Sequence, residues 1–157
     1  MTIQIDSREK ARAITKIVDY FEKQDIQFFV SKLPVGDYMS LDNARFAIDR
    51  KQNLLELCSN VCQQHKRFKN ELIRANELGI KLVFLVEHSA NIRSLEDVRE
   101  WRNPRLKNSP LAVSGERLYK ILSTMEKTYN TKFFFCSKQN TGKCIEWLLN
   151  STVKKGL

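Results

Sequence analysis

No apolar run in this chain approaches membrane-spanning length, so the sequence predicts no membrane segment. There is no internal repeat, no low-complexity stretch and no convincing linker. Prolines number only 3, and two of them fall in one stretch, 103–110. No signal peptide precedes the first predicted strand. Four cysteines without one fit a reducing, cytoplasmic setting with free thiols. No Ser-His-Asp or Cys-His arrangement offers a nucleophile. Gln139 to Lys143 (QNTGK) lacks the first glycine of a phosphate loop, so no nucleotide cofactor is expected. No helix looks built to read base edges, so a nucleic-acid partner would be recognised by shape.

What is present is a globular composition with an excess of positive charge. At 157 residues the chain is most simply one domain, 1–157, large enough for a real core. Lys and Arg number 27 against 18 Asp and Glu, a net charge of +9. Such a balance suits a polyanion, although it also serves solubility.

Periodicity predicts alternating strands and helices. Thr2–Ile5 and Gln27–Val30 read as short strands, and Ala11, Ile14, Ile17, Val18 and Phe21 recur at helical spacing. Leu33–Tyr38 leads into a hairpin with Asp42 and Asn43 as turn residues. Asn53 is placed to cap a helix through Leu54, Leu57, Cys58 and Val61, and Phe68, Leu72 and Ala75 mark a second helix closed by Gly79. Lys81–Val86 (KLVFLV) and Lys132–Cys136 (KFFFC) read as buried strands. Ser94–Trp101 reads as a short helix, and two further helices follow the stripes Leu118–Met125 and Ile145–Leu149. The pattern implies an α/β architecture, a mixed sheet with flanking helices and an antiparallel hairpin inside it.

The chemistry concentrates in Leu33–Lys51, LPVGDYMSLDNARFAIDRK. Strand alternation points Asp49 and Lys51 to one face and Arg50 to the other. Asp37 lies across the hairpin, so two carboxylates and one ammonium can converge. Carboxylates hold a hard divalent cation, and a lysine beside them stabilises charge or orients water. Each residue taken alone reads better as a turn or solvated strand end.

Gly-Asp on one strand and Asp-x-Lys on the next resembles the PD-(D/E)XK nuclease pattern. Ile5-Asp6-Ser7-Arg8-Glu9 is similar to the opening of the XPF-type structure-specific endonucleases. Val35-Gly36-Asp37-Tyr38 resembles their Gly-Asp-aromatic element, and Asp49-Arg50-Lys51 their Glu-Arg-Lys. Arg67-Phe68 and the run Leu82–Glu87 are similar to the later helix and strand. The resemblance implies a restriction-endonuclease-like fold and a Mg2+-dependent DNA endonuclease, with Mn2+ able to substitute. It implies cleavage of branched or flap DNA in repair or recombination, and a homodimer, for which the helices after Glu116 are the expected interface. Metal would fall to Asp37 and Asp49, with Lys51, Asp6 and Glu56 completing the catalytic set. Arg8, Glu9 and Arg50 would be accessory, Arg50 pairing with Glu9 or Glu87. The style is that of a stand-alone bacterial or phage protein.

The chain departs from that family at Leu55, where an Asp is usual. Glu56 follows one place later, and would need a turn of about 100° at the helix start to replace it. The alternative is a catalytically weakened DNA-binding subunit, or a phage interaction protein on the same fold. Two basic clusters are candidate DNA contacts. One is Lys66, Arg67 and Lys69 beside His65; the other is Arg102, Arg105 and Lys107 around Trp101 and Pro104, where the Trp is either a stacking platform or core. Cys58, Cys62 and His65 at i, i+4 and i+7 could gather around zinc. Three members fall short of a zinc site, and a buried Cys mostly behaves as a small apolar residue.

Overall fold

A computed structural model describes residues 1–89 and 91–154, with the side chains of the last two left out. Six strands form one mixed sheet in the order β2-β1-β3-β4-β5-β6. They are β1 (Thr2–Ile5), β2 (Gln27–Val30), β3 (Tyr38–Ser40), β4 (Asn43–Lys51), β5 (Lys81–Glu87) and β6 (Phe133–Cys136). The β3–β4 hairpin is antiparallel, and β3 runs antiparallel to β1. The other neighbours, β1–β2, β4–β5 and β5–β6, are parallel. Parallel neighbours need crossovers, and α2 (Leu54–Cys62) and α3 (His65–Glu77) supply the one between β4 and β5.

Strand β5 shows why the sheet is covered on both faces. Leu82, Phe84 and Val86 pack into a core with α2, α3 and α4 (Gly115–Thr128). Val83 and Leu85 pack into a second core with α1 (Thr15–Lys23) and α5 (Thr141–Lys154). Phe84 stacks between Phe68 and Phe133, with centroids 4.8 and 5.2 Å away. Phe84→Ala would cost about 3–5 kcal/mol, because rigid neighbours leave the cavity open.

Several elements differ from their sequence expectation. The first helix opens with a 3-10 turn, Ala11–Ile14, and the helix expected over Ser94–Trp101 is a 3-10 turn at Glu96–Glu100. The hairpin turns at Leu41 and Asp42, and Asn43 already belongs to β4. β6 is an edge strand, with Phe134 and Phe135 half-buried, because its apolar run packs at the margin of both cores rather than between strands. Trp101 is buried in the first core and cannot serve as a stacking platform.

Candidate active site at the ends of strands β4 and β5

The alternation of β4 sorts its last residues onto two faces. Ala47 faces the α2–α3 side and Ile48 the α1–α5 side, so Asp49 and Lys51 join the first and Arg50 the second. Gly36 fixes the approach of Asp37. Its φ of 72° is left-handed, and a Cβ there would meet Ala47 Cβ at 3.1 Å and Ile48 O at 3.2 Å. The Asp37 amide donates to Ile48 O at 2.8 Å, and Asp37 Oδ2 accepts the Arg50 amide at 2.8 Å. Asp37 therefore meets β4 just before β3 begins.

Asp49 is 6% exposed. Lys51 Nζ pairs with its Oδ1 at 3.1 Å, and no other donor reaches that buried oxygen among the described residues. Burial pushes both aspartates up, to about 9 for Asp37 and about 6 for Asp49. Repulsion from Asp49 and Glu9 adds to the first. Lys51 moderates the second, and Glu71 raises it again. For Lys51 burial works against the charge, but Asp49 outweighs it and the ammonium is stabilised. Two buried carboxylates with one ammonium between them are what a hard divalent cation would relieve. Asp37 and Asp49 could hold one, and a carbonyl and waters would complete its shell. No three His, Cys, Asp or Glu side chains among the described residues form a tighter cage. Cys58, Cys62 and His65 are no exception, since α2 ends at Cys62 and the His65 ring faces Val61 O at 3.2 Å.

On the other face Arg50 closes a network. Its guanidinium donates to Glu87 Oε1 at 2.5 Å and to Glu9 Oε2 at 2.8 and 3.1 Å. Tyr38 also donates to Glu9, at 3.3 Å. Both carboxylates expected as alternative partners of Arg50 bind it together.

With this geometry in place, comparison with known families decides the kinship. Residues 5–149 match the ERCC4 domain. The chain belongs to that family. Two solved structures share its fold. XPF from Aeropyrum pernix superposes with a TM-score of 0.68 at 18% identity, covering 99% of this chain and 66% of that one. The same protein in complex with DNA gives 0.66, again at 18% identity, covering 98% and 66%. This chain thus spans just under two thirds of each. A search of curated proteins found no match. The restriction-endonuclease-like fold and the XPF-type kinship expected from the motifs are both borne out.

The other residues expected at the site lie around the strand ends. Asp6, 1% exposed, accepts the Leu33 amide at 2.8 Å and Arg8 Nε at 2.6 Å. Burial would raise its pKa, but Arg8 and those amides outweigh it and hold it low. Its own amide donates to Asp37 O at 2.8 Å, so Asp6 braces the Asp37 turn. The largely exposed Arg8 also reaches Leu33 O at 3.3 Å. Glu56 stands at the third position after the N-cap Asn53, which accepts the Glu56 amide at 2.8 Å. Glu56 Oε2 in turn accepts the amide of Gln52, one residue ahead of that cap, at 2.7 Å, which ties down the start of α2. Glu56 still lines a polar cavity of about 220 Å³ together with Lys51, Arg67 and Glu71. Leu55 is half-buried against the first core.

Lys66, Arg67 and Lys69 are exposed on the first turns of α3, not ahead of it, and Arg67 alone of the three reaches that cavity. Arg102, Arg105 and Lys107 are exposed around a 3-10 turn at Pro104–Lys107. Glu71 is the site residue that motif reading missed. It lies on α3 within reach of Asp49, Lys51 and Arg8, and the Gly36 amide points at its Oε1 from 3.5 Å. Its signal was a carboxylate three residues after Phe68, at the margin of the stripe Phe68, Leu72, Ala75.

Proposed function

We propose that this chain is a divalent-metal-dependent DNA endonuclease acting on branched or flap DNA. The observation that carries the reading is the Asp37–Asp49 pair, buried, with repulsion raising Asp37 and with Lys51 the one ammonium against Asp49 Oδ1. Asp37 and Asp49 would hold Mg2+ or Mn2+, which when bound supplies a polarised phosphoryl oxygen and a more acidic water. Lys51 holds its positive charge against Asp49 and is placed to orient water or stabilise charge developing on the phosphate. Asp6 keeps the Asp37 turn in register, and Arg8 stands near the mouth where it can meet a phosphate. The net charge of +9 suits the polyanion.

The test is a cleavage assay with Mg2+ or Mn2+ on duplex, flap, fork and four-way-junction DNAs. Metal-dependent cutting of the branched forms, lost in EDTA and in Asp49→Asn, is the expected result. DNA binding without cutting under any metal would favour the second reading, a weakened DNA-binding subunit. That reading draws on Glu56, whose carboxylate is engaged by Gln52, and on Leu55, which packs where the family has an Asp.

Pairing of two copies belongs to the same proposal. Trp147 on α5 is 62% exposed beside Phe134 and Leu148, over a cavity of about 400 Å³. Trp147→Ser should shift a dimer to monomer in sedimentation. The four cysteines are free thiols, and no described helix is long and apolar enough to cross a membrane.

A further inference from the structure

The acidic side chains gathered at the strand ends are answered from within the chain, with one exception. Arg8 meets Asp6, Arg50 meets Glu9 and Glu87, and Lys51 meets Asp49. Asp37 accepts the Arg50 amide, and Glu56 accepts the Gln52 amide. The exception is Glu71. It is half-buried and forms no ion pair among the described residues. It meets only the Gly36 amide, at 3.5 Å, the outer limit of a hydrogen bond. Arg67, one helical turn earlier, lines the same cavity of about 220 Å³ without pairing with it.

The packing of α3 fixes where this carboxylate stands. Phe68 is buried and stacks on Phe84 at 4.8 Å, and Lys51 Nζ lies 5.8 Å from the Phe68 ring centroid. Leu72 and Ala75 hold the helix down further along. Residues three apart on a helix are neighbours, so Glu71 stands with Phe68 beside Lys51. Its Oε1 faces Gly36, the residue before Asp37, and its charge is felt at both Asp49 and Lys51. Helix α2 supplies no such group. Leu55 lines a cleft with Cys58 and Arg105 that shares no residue with the cavity at Lys51, and Glu56 is engaged by Gln52. A hard cation gains affinity with each charged oxygen around it, and the strands alone offer two carboxylates.

We propose that Glu71 is the third carboxylate of the cation site, reaching the ion from α3 while Asp37 and Asp49 reach it from the sheet. The proposal rests on the nuclease reading and adds to it a ligand that the strand motif does not contain. Among the described residues no three acidic groups form a closed cage, because like charges stand apart until a cation joins them.

The test reads metal binding directly, on the full chain without DNA, by Mn2+ electron paramagnetic resonance and water-proton relaxation. Glu71→Gln should weaken Mn2+ binding on the order of tenfold to a hundredfold. Glu56→Gln removes an equal charge from the same cavity and should change binding by less than about threefold. In Glu71→Ala at saturating Mn2+, relaxation by the bound ion should rise as one more water takes the freed position. Glu71→Gln should also raise the Mg2+ needed for half-maximal cutting of forked DNA by a factor like that seen for Mn2+. Melting in EDTA checks that each variant is folded. If Glu71→Gln loses no more affinity than Glu56→Gln, or relaxation is unchanged in Glu71→Ala, Glu71 is only a counter-charge for Lys51. The proposal is then overturned, while the nuclease reading stands on loss of Mn2+ uptake and cutting in Asp49→Asn. If the wild-type chain takes up no Mn2+ and cuts no DNA with any divalent cation, the nuclease reading falls, and the role of Glu71 with it.

Discussion

The two faces of β4 carry opposite electrostatic designs within three consecutive residues. On one face Arg50 meets Glu87 and Glu9 in short hydrogen bonds, and Tyr38 adds another. On the other, Asp37 and Asp49 share one nearby ammonium, and both are pushed up. Both faces are buried, so burial alone does not distinguish them. What differs is whether the charges are answered from within the chain. A closed network stabilises and fixes geometry, whereas an open one waits for a charge from outside.

The largest effect should come from opening the closed face. Arg50→Met leaves Glu9 and Glu87 buried without a counter-charge, which typically costs about 3–5 kcal/mol. Thermal or urea unfolding should show a variant near the edge of folding. Adding Glu9→Gln and Glu87→Gln should recover much of the loss, because the penalty lies in unpaired charge. If Arg50→Met alone melts like wild type, the network is not structural.

The open face should behave in the reverse way. Asp37→Asn or Asp49→Asn should lower cleavage on the order of a thousandfold, since each removes a charged group that would hold the cation. Asp37→Asn should not lower the melting temperature of metal-free protein, whereas Asp49→Asn takes the counter-charge from the buried Lys51 ammonium and should lower it. Near-normal cutting by either variant would remove it from the site.

Much of this division was legible in the sequence. Alternation alone put Asp49 and Lys51 opposite Arg50, and the Gly36-Asp37 dipeptide announced a tight approach. KLVFLV placed β5 between two cores because both its faces are apolar. The reading was weaker where local signals conflict with packing. Trp101 sits in a basic stretch yet is core, because exposure is decided by what folds over it. Glu56 carries the charge expected of a ligand, and the sequence did not show that its carboxylate also accepts the Gln52 amide beside the N-cap Asn53. Glu71 joins the site from 20 residues beyond Lys51, and no motif spacing reaches it; only the docking of α3 on the sheet does.

The pH dependence of stability follows from the open face, with a definite sign. Both aspartates titrate above their unfolded value of 3.8, so their protonated forms favour the folded state. Their stabilisation is fully present below about pH 4 and is lost as pH rises through about 6 and about 9. Asp37→Asn should therefore gain melting temperature relative to wild type as pH climbs through that window in EDTA. Mg2+ should restore the wild type at pH 8 by neutralising the pair. A difference between the two proteins that stays flat from pH 4 to 9 would contradict this assignment.

The smallest effect is expected at Glu56, and it separates the two faces from their rim. In Glu56→Gln the side chain still accepts the Gln52 amide, so the cap and the start of α2 survive. Only a negative charge near Lys51 and Asp49 is removed. Stability should stay within about 0.5 kcal/mol, as for a substitution that retains its hydrogen bond. Cleavage should fall by less than about tenfold, against the hundredfold expected if Glu56 took the place of the carboxylate that Leu55 lacks. A hundredfold loss at unchanged melting temperature would mean that Glu56 leaves its cap when cation and DNA bind. The strand-to-helix turn after Lys51 would then be a moving part of the open face, and Asp37 with Asp49 would no longer suffice to hold the cation.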